Sequence, residues 1–184
     1  TAIRQDISDK KLAEELSITD GLTSLYNRRH FNTVFPNELA RAERDNKIIA
    51  LMIIDVDYFK PYNDNYGHQQ GDVALQAVSS VFKQTVRRAG DFTFRIGGEE
   101  FAVIVTVDNI DDALKIAEKL RKAVEALQIE HAFNLASAYL TVSIGIKTHQ
   151  SSGAQSAQED QIYRQADDAL YQAKENGRNQ VALN

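Results

Sequence analysis

Two adjacent carboxylates, Glu99 and Glu100, follow a Gly-Gly pair and form the stretch of this sequence best suited to chemistry. Residues 92–96 and the start of residues 100–107 alternate apolar and polar side chains, so the glycines between them predict a tight hairpin whose turn residues take positive φ. Because side chains alternate along a strand, the two glutamates should face opposite sides, with only one of them in a given site. Glycines at the tip would also let a ligand lie directly on the backbone. On its own, the motif is also consistent with a surface hairpin that carries two solvated acids.

Two further acids, Asp55 and Asp57, end the continuous apolar run Ile48 to Ile54, which is short enough to predict a central strand covered on both faces. Carboxylates at a strand end, beside loop carbonyls, make an oxygen-rich site suited to Mg²⁺ or Mn²⁺, and such a cation usually holds substrate phosphates. The sequence has no cysteine, and no histidine pair has zinc spacing. An Asp-x-Asp pair alone is more often the simple end of a strand, so the metal interpretation depends on the rest of the fold.

The elements that would position these acids follow from hydrophobic periodicity and from turn residues. The prediction is a helix over 29–44, the strand over 48–54, a loop with one helical turn at most over 59–70, helices over 72–88 and 110–127, the hairpin over 92–107, a strand over 139–147, a polar loop over 151–158, a helix over 159–176 closed by Gly177, and a strand over 181–183. This order is the split βαβ, ferredoxin-like arrangement of an α/β (α+β) fold, with a βαββαβ core and a central, mostly antiparallel sheet flanked by helices. In it the third core strand lies antiparallel beside the first, so Asp55 and Glu99 should converge.

Composition limits the class of protein. The 184 residues are 43% hydrophobic and 26% charged, which is typical of one globular domain, and the formal net charge of −5 argues against non-specific binding of nucleic acid. No run approaches the ~18 apolar residues of a membrane span, and the start lacks the basic-then-apolar order of a signal peptide, so we expect a cytoplasmic chain without membrane contact by this fragment. Residues 1–16 carry a rough helical stripe and are predicted to end a connecting helix, which leaves 17–184 as the domain. Because the chain begins at Thr1 rather than at a methionine, we expect it to be a fragment of a longer protein.

Five blocks of residues, in a fixed order, resemble the GGDEF family of diguanylate cyclases, here in a GGEEF variant at Gly97 to Phe101. The other blocks are Asp20-Gly21-Leu22-Thr23 with Asn27-Arg28-Arg29, Asp55 to Lys60 with Asn63-Asp64, Gly67 to Asp72, and Asp168-Ala169-Leu170-Tyr171 with Lys174, Gly177, Arg178 and Asn179. The resemblance covers residues 17–184. It implies a polymerase-palm-like fold and a GTP-dependent nucleotidyltransferase that condenses two GTP molecules into cyclic di-GMP with release of pyrophosphate.

The resemblance also implies how a metal would be held. Asp55 and Glu99, together with the Val56 carbonyl, would be ligands of two divalent cations, Mg²⁺ or Mn²⁺. Glu100 would serve either the metal or catalysis. Two such ions would neutralise the triphosphate, lower the pKa of the attacking 3′-hydroxyl and stabilise the leaving pyrophosphate.

Phosphate groups would be bound by cations from two parts of the chain. Lys174 and Arg178 are four positions apart on the predicted last helix, hence on one face, and the resemblance makes them phosphate ligands. Without the resemblance, such a pair is more often solvated. The remaining substrate-binding positions are the Lys60 side chain, the amides of the Phe59-Lys60 loop, and Gly97 with Gly98.

Two more pairs of residues are assigned through the resemblance. Asn63 and Asp72 would bind guanine, and because a carboxylate accepts from guanine N1–H and N2–H₂ but not from adenine, Asp72 favours GTP over ATP. The alternative role for Asp72 is a helix N-cap. Arg88 and Asp91, five residues before the GGEEF, match the RxxD product-inhibition motif and would bind the guanine and phosphate of cyclic di-GMP. An Arg-x-x-Asp pattern also arises often by chance.

The sequence carries one set of these motifs and no internal repeat, yet cyclic di-GMP has two phosphodiester bonds. Two copies must therefore face each other, and we expect a homodimer as the active species, within the C-terminal output domain of a larger signalling protein. Two alternatives stay open, namely a catalytically silent receptor that binds cyclic di-GMP through the RxxD motif and a structural ferredoxin-like interaction module. Another nucleotidyl cyclase or polymerase would differ in base choice and in product.

Overall fold

The computed structural model describes residues 18–150 and 159–184. Within these ranges the strands are β1 (Tyr26–Asn27), β2 (Ile48–Val56), β3 (Phe92–Arg95), β4 (Glu100–Val107), β5 (Val142–Gln150) and β6 (Val181–Leu183), and the helices are α1 (Arg28–Arg44), α2 (Phe59–Tyr66), α3 (His68–Thr85), α4 (Ile110–Glu125) and α5 (Glu159–Glu175). None of these helices has the length and apolar character needed to cross a membrane. The predicted connecting helix over 1–16 and the predicted polar loop over 151–158 lie outside the described residues.

The strands form one sheet in the order β1-β3-β4-β2-β5-β6. The central strand β2 runs antiparallel to β4 on one side and to β5 on the other, while β3 and β4 form the predicted hairpin. The two edge strands are short and pair in parallel, β1 with β3 and β6 with β5. This topology confirms the predicted α/β fold with a ferredoxin-like core, in which the third core strand lies antiparallel beside the first.

The central strand β2 separates two hydrophobic cores. All nine of its residues are buried, as its continuous apolar run predicts, and alternate side chains point to opposite faces of the sheet. On one face, Met52 belongs to a cluster with side chains of α3 and α4. On the other face, Leu51 belongs to a cluster with side chains of α1 and α5. The C-terminal end of β2, where Asp55 lies, is therefore supported by packed helices on both sides.

The predicted loop over 59–70 is wrong, because most of this segment is helical. α2 begins at Phe59, so Pro61 falls in the first turn, where its missing N–H has no intrahelical partner to lose. Gly67, with a φ of 86°, then separates α2 from α3. Proline and glycine in this stretch thus mark the start of one helix and the break before the next.

The strands β2 and β5 also differ from the prediction in their bounds, and β5 extends to Gln150 rather than to Lys147. β2 continues through Val56, because Asp55 and Val56 still pair with β5. β5 begins only at Val142, since Tyr139 instead forms an isolated bridge with Glu130. The longer β2 brings its acidic end inside the hydrogen-bonded sheet.

Helix α5 lies directly on β5 at Gly145, where there is no room for a side chain. A Cβ added at this glycine would overlap the backbone of Ala166 and of Leu170 in α5. The glycine therefore sets the distance between α5 and the sheet. Because α5 also carries Lys174, this packing determines how closely that lysine approaches the end of β2.

We predict that Gly145→Ala destabilises the domain by about 1–3 kcal/mol, because the added methyl group forces α5 away from the sheet. Urea denaturation followed by circular dichroism measures the free energy of unfolding. The control is Gly21→Ala, whose added Cβ meets no atom within 4 Å and whose φ is not positive, so its effect should stay within about 0.5 kcal/mol. Equal stability of the two variants would contradict the close packing of α5 on β5.

Candidate active site

The end of β2 and the start of β4 bring the predicted acids together. Asp55 pairs directly with Glu100 in the antiparallel register, and the Val56 amide donates a hydrogen bond to the Glu99 carbonyl over 3.2 Å. Asp55 is 9% exposed, Glu99 is half-buried and Glu100 is exposed. The negative charges of both glutamates raise the pKa of Asp55. Both therefore lie near Asp55, although strand alternation predicted only one glutamate in the site. We call Asp55, Glu99 and Glu100 the acidic corner.

Lys174 forms an ion pair with Asp55, with Nζ 3.0 Å from Oδ1. The pKa of Asp55 is nevertheless raised to about 6, first of all because burial disfavours the charged carboxylate. Lys174 opposes this shift, whereas the negative charges of Glu99 and Glu100 add to it. One ammonium group therefore leaves negative charge at the acidic corner uncompensated, which favours the binding of a cation.

The Gly-Gly turn is built differently from the prediction. Neither Gly97 nor Gly98 has positive φ, so the predicted conformational need for glycine is wrong. The turn is closed by the amides of Ile96 and Gly97, which both donate to the Glu100 carbonyl, over 2.9 and 3.2 Å. A Cβ on Gly97 would overlap the carboxylate of Glu100. Gly97 thus leaves the space in which the Glu100 side chain lies, and a larger residue there would displace that carboxylate.

Arg95 holds the same turn by donating hydrogen bonds to the Gly98 carbonyl. Its guanidinium donates to the Gly98 carbonyl from Nε over 3.0 Å and from Nη2 over 2.8 Å, and to Asp20 from Nη1 over 3.0 Å. Asp20 also accepts from the amide and the hydroxyl of Thr23. The turn that carries the glutamates is thus tied to the segment that leads into β1, a link that the sequence patterns did not indicate.

The donors at the acidic corner fit a hard divalent cation in their chemistry. Three carboxylates and the Val56 carbonyl are oxygen donors of the kind that Mg²⁺ and Mn²⁺ prefer. Burial is the main cause of the raised pKa of Asp55, and the charges of Glu99 and Glu100 add to it. Within residues 18–150 and 159–184, no three acidic or histidine side chains are already arranged as a metal site. Lys174 engages Asp55, and the Glu100 side chain lies over Gly97. A cation would therefore compete with the Lys174 ammonium for Asp55.

Arg178 lies next to Lys174 but not on the same helix, so the predicted shared helix face is wrong. α5 ends at Glu175, and Gly177, with a φ of 111°, turns the chain before Arg178. The Arg178 guanidinium returns to the site, where Nη1 donates to the Lys174 carbonyl over 3.3 Å and to the Tyr58 hydroxyl over 3.1 Å. It also stacks on the Tyr58 ring, 4.3 Å from the ring centroid. Lys174 and Arg178 are thus close together on adjacent backbone segments.

Asp57 is not part of the acidic corner, but it binds the segments that surround the site. Its carboxylate is 1% exposed and accepts hydrogen bonds from the Thr141 hydroxyl, the Ser143 hydroxyl and the Asn179 amide, over 2.8, 2.7 and 3.1 Å. These partners satisfy a buried charge that would otherwise be costly. Of the two acids at the end of β2, only Asp55 faces Lys174 and the glutamates.

The two residues expected to bind guanine lie on consecutive helices, Asn63 on α2 and Asp72 on α3. Asn63 Oδ1 is buried without a hydrogen-bond partner, and it lies against Gly71, where any Cβ would overlap it. Asp72 is exposed. It is not the N-cap of α3, because Gly67 takes that position, so the alternative role for Asp72 is wrong. The Asn63 oxygen is therefore unsatisfied but out of reach of solvent, whereas the Asp72 carboxylate is accessible.

The segment that leads into α2 has an uncommon backbone. Tyr58, the residue before α2, adopts the left-handed conformation with φ 52° and ψ 35°, which side chains with a Cβ rarely take. Phe59 is buried and Lys60 is exposed at the start of the helix. The Nε2 atom of His131 lies 3.0 Å from the Tyr58 carbonyl. Sequence reasoning missed His131, since a single histidine in a loop shows no informative spacing.

Arg88 and Asp91 line a separate cleft of about 210 Å³, together with Lys47 and Thr106. Burial raises the pKa of Asp91, while Arg88 and a hydrogen bond with the Thr106 backbone oppose that shift. Lys47 precedes β2, and Asp55 lies near the other end of that strand. The cleft and the acidic corner are therefore roughly 25 Å apart, at ~3.3 Å per residue.

Comparison with known proteins assigns the chain to a family. Residues 17–180 match the family model described as diguanylate cyclase, GGDEF domain, so the chain belongs to the GGDEF domain family. Diguanylate cyclase DosC of Escherichia coli (strain K12) is 38% identical over 178 residues, which cover 95% of this chain and 37% of DosC. The chain thus spans little more than a third of that curated relative.

Solved structures agree with this assignment. The coiled coil and GGDEF domain of DgcB from Caulobacter crescentus, in complex with c-di-GMP, has a TM-score of 0.86 and 29% identity, covering 100% of this chain and 94% of that chain. The active GGEEF domain of a diguanylate cyclase from Vibrio cholerae has a TM-score of 0.73 and 31% identity, covering 86% of this chain and 97% of that chain. The described fold is therefore that of GGDEF domains.

We predict that Asp55→Asn stabilises the domain against unfolding in EDTA at pH 7.5, by about 1–3 kcal/mol. The carboxyl group has a pKa of about 6 in the folded state and near 3.8 in the unfolded state. Its ionisation therefore begins to destabilise the folded state above pH 3.8 and does so fully above pH 6, at 1.36 kcal/mol per pKa unit. The difference between the variant and the parent should shrink as pH falls through 6 and disappear near pH 4.

Urea denaturation at pH 7.5 and at pH 4 measures this difference. The control is Asp167→Asn, which removes an exposed acid of α5 and should change stability little at either pH. If Asp55→Asn were equal or lower in stability than the parent at pH 7.5, Asp55 would not carry an unfavourable charge in the folded protein.

Proposed function

We propose that this domain is a diguanylate cyclase, which joins two GTP molecules into cyclic di-GMP. In each of two steps, the 3′-hydroxyl of one GTP attacks the α-phosphorus of the other and forms a P–O bond. The bond between the α-phosphorus and the bridging oxygen breaks, pyrophosphate leaves, and the hydroxyl proton passes to a base. The observation that carries this proposal is the acidic corner next to Lys174 in a chain of the GGDEF family.

Metal binding would fall to the acidic corner. Asp55 and Glu99, with the Val56 carbonyl, would hold Mg²⁺ or Mn²⁺, two per site, and Glu100 would be a further ligand or the proton acceptor. When bound, these cations neutralise the triphosphate and make the 3′-hydroxyl more acidic. The raised pKa of Asp55 supports this assignment, because a carboxylate that is costly to ionise alone is stabilised by a divalent cation.

The triphosphate would also need cations from the protein, because the acidic corner repels it. Lys174 and Arg178 would bind phosphate oxygens, together with Lys60 and the first amides of α2. Lys174 is paired with Asp55, so it would exchange that carboxylate for a phosphate when metal and substrate enter. The remaining expected contacts are with the backbone of Phe59, Gly97 and Gly98.

Guanine selectivity would come from Asn63 and Asp72. Oδ1 of Asn63 is buried without a partner in the protein, and rotation of this side chain would let it accept from the guanine amino group. The Asp72 carboxylate would accept from N1–H and N2–H₂ of the same base. Adenine has a bare N1 acceptor at that edge, so GTP is the proposed substrate rather than ATP.

Cyclic di-GMP would bind as an inhibitor at Arg88 and Asp91. A guanidinium can stack on guanine and pair with phosphate, and the cleft beside these residues gives the ligand a place to lie. The DgcB relative was solved in complex with c-di-GMP. Because the cleft is at the opposite end of β2 from Asp55, product there would act by coupling between sites rather than by overlap with GTP in the same chain.

The active species would be a homodimer in the cytoplasm. One chain carries one acidic corner and one guanine pair, while the product needs two bonds between two nucleotides, so two copies must face each other. The chain covers 37% of its DosC relative. We therefore place it as the output domain of a longer signalling protein.

We predict that the purified domain converts GTP, but not ATP, into cyclic di-GMP when Mg²⁺ or Mn²⁺ is present. Glu99→Gln should lower the rate on the scale of 10²–10³ that is typical for loss of one electrostatic contact in an active site. Product chromatography and pyrophosphate release measure both results. Asp167→Asn is the control and should keep the parental rate.

Each outcome of this assay is informative. If no product forms at high protein concentration while cyclic di-GMP still binds, the domain is a catalytically silent receptor rather than a cyclase. An unchanged rate in Glu99→Gln would remove Glu99 from the proposed metal site.

We predict that Arg88→Ala leaves the initial rate close to that of the parent but lets cyclic di-GMP accumulate further before the reaction stalls. The reason is that Arg88 lies in the distant cleft, so its loss should weaken product binding without touching the acidic corner. Full progress curves and calorimetry with cyclic di-GMP measure the two effects. Arg87→Ala, which removes the adjacent exposed arginine, is the control. Superimposable progress curves and equal product affinity would place the inhibitory site elsewhere.

A further inference from the structure

A buried histidine lies behind the candidate site, on the loop between α4 and β5. His131 is 0% exposed, and its ring meets the ring of Tyr62 edge to face at 5.1 Å, with Tyr66 farther away at 6.4 Å. Both tyrosines belong to α2. The loop is fastened to the same helix by the Ala132 amide, which donates to the Tyr66 hydroxyl over 3.1 Å. The imidazole is therefore packed against α2.

The polar contact of this imidazole is with the backbone of Tyr58. The Tyr58 carbonyl lies 3.0 Å from His131 Nε2 and also accepts from the Tyr62 amide over 3.1 Å. A carbonyl can only accept, so Nε2 carries the proton and donates it. Burial lowers the pKa of His131, although the Tyr58 carbonyl opposes the shift, so the ring is neutral at pH 7 and above. Its other nitrogen, Nδ1, is buried without a partner.

The contact matters because Tyr58 takes a backbone conformation that its side chain does not favour. With a φ of 52°, Tyr58 occupies the left-handed region, and residues with a Cβ stay there only when their surroundings hold them. The hydrogen bond from His131 holds the carbonyl side of Tyr58, and the α2 helix begins at the next residue. The direction in which α2 leaves the sheet thus depends on this peptide group.

The Tyr58 side chain in turn supports Arg178. Its ring lies under the guanidinium at 4.3 Å, and its hydroxyl accepts from Nη1 over 3.1 Å. Arg178 itself has a φ of 63° and lies beyond the end of α5, so no helix fixes its position. Contacts with Tyr58 and with the Lys174 carbonyl orient the guanidinium.

We propose that His131 is a positioning residue for triphosphate binding, which acts by donating Nε2–H to the Tyr58 carbonyl and so holds both the start of α2 and the ring that supports Arg178. The proposal rests on the function proposed above, since it takes Arg178 and the first amides of α2 as phosphate ligands. His131 does not touch the substrate. Its loss should weaken GTP binding while leaving the acidic corner in place.

The test compares two substitutions of His131 in the same domain. His131→Leu keeps much of the volume but removes the donor, and it should raise KM for GTP by roughly 10-fold or more, the scale on which misplaced binding groups act, with a smaller change in kcat. His131→Gln keeps an N–H donor near the Nε2 position and should restore KM toward the parental value. Leu135→Ala, which alters an 85% exposed side chain of the same loop, is the matched control and should behave like the parent.

Combination with Arg178→Ala tests whether the effect runs through Arg178. If His131 acts through Tyr58 and Arg178, then His131→Leu should raise KM less in the Arg178→Ala background than in the parent. If the two effects add fully, or if His131→Gln is as impaired as His131→Leu, His131 has only a packing role and the proposal is overturned. Should His131→Leu fail to fold, Tyr58→Phe removes the hydroxyl that receives Arg178 and must raise KM for the proposal to stand.

Hydrogen exchange separates this proposal from the proposed function. The backbone amides of residues 59–66, apart from Pro61 which has none, should exchange faster in His131→Leu than in the parent and recover in His131→Gln, with no nucleotide present. If the parent makes no cyclic di-GMP, the function fails, and exchange still decides whether His131 holds Tyr58 and α2. If the parent is active and neither KM nor exchange changes in His131→Leu, the function stands and the proposal for His131 fails.

Discussion

The arrangement of the site depends on the buried carboxylate of Asp57. It accepts hydrogen bonds from two hydroxyl groups, one just before β5 and one within it, and from the Asn179 amide. Three separate segments are thereby joined at one point, and each donor left without this acceptor would cost about 1–3 kcal/mol. Tyr58 follows Asp57 in the chain and Arg178 precedes Asn179, and the Arg178 guanidinium stacks on the Tyr58 ring. The buried carboxylate of Asp57 therefore helps to position the Arg178 guanidinium.

The sheet connects two places with different electrostatics. At one end of β2, Asp55 carries more negative charge around it than Lys174 compensates, and at the other end a cleft holds Arg88 beside a half-buried Asp91. The hairpin of β3 and β4 runs between the same two places, from Asp91 to the glycine turn. Any influence of the cleft on the acidic corner within one chain would have to pass along these packed strands, which deform little as a unit.

Much of the fold follows from periodicity, and the misses have local causes. The apolar run of β2 and the hairpin could be predicted, because burial on one or both faces leaves a clear pattern. α2 could not, since Pro61 is compatible with a first helical turn as well as with a loop. The acidic corner follows from topology, but the contact of the Glu100 side chain with Gly97 does not, because no sequence pattern reports such contacts. The role of His131 could not be predicted either, because it depends on a contact with the Tyr58 carbonyl.

The sheet ends on both sides in very short strands, two residues in β1 and three in β6. A long exposed edge would offer a row of unpaired amides and carbonyls to any extended chain, and it is the usual route by which sheets of separate molecules join and aggregate. Along β1 and β6 themselves, a second sheet would gain few hydrogen bonds. Copies of this domain are thus expected to meet through contacts between side chains rather than through a continuous intermolecular sheet.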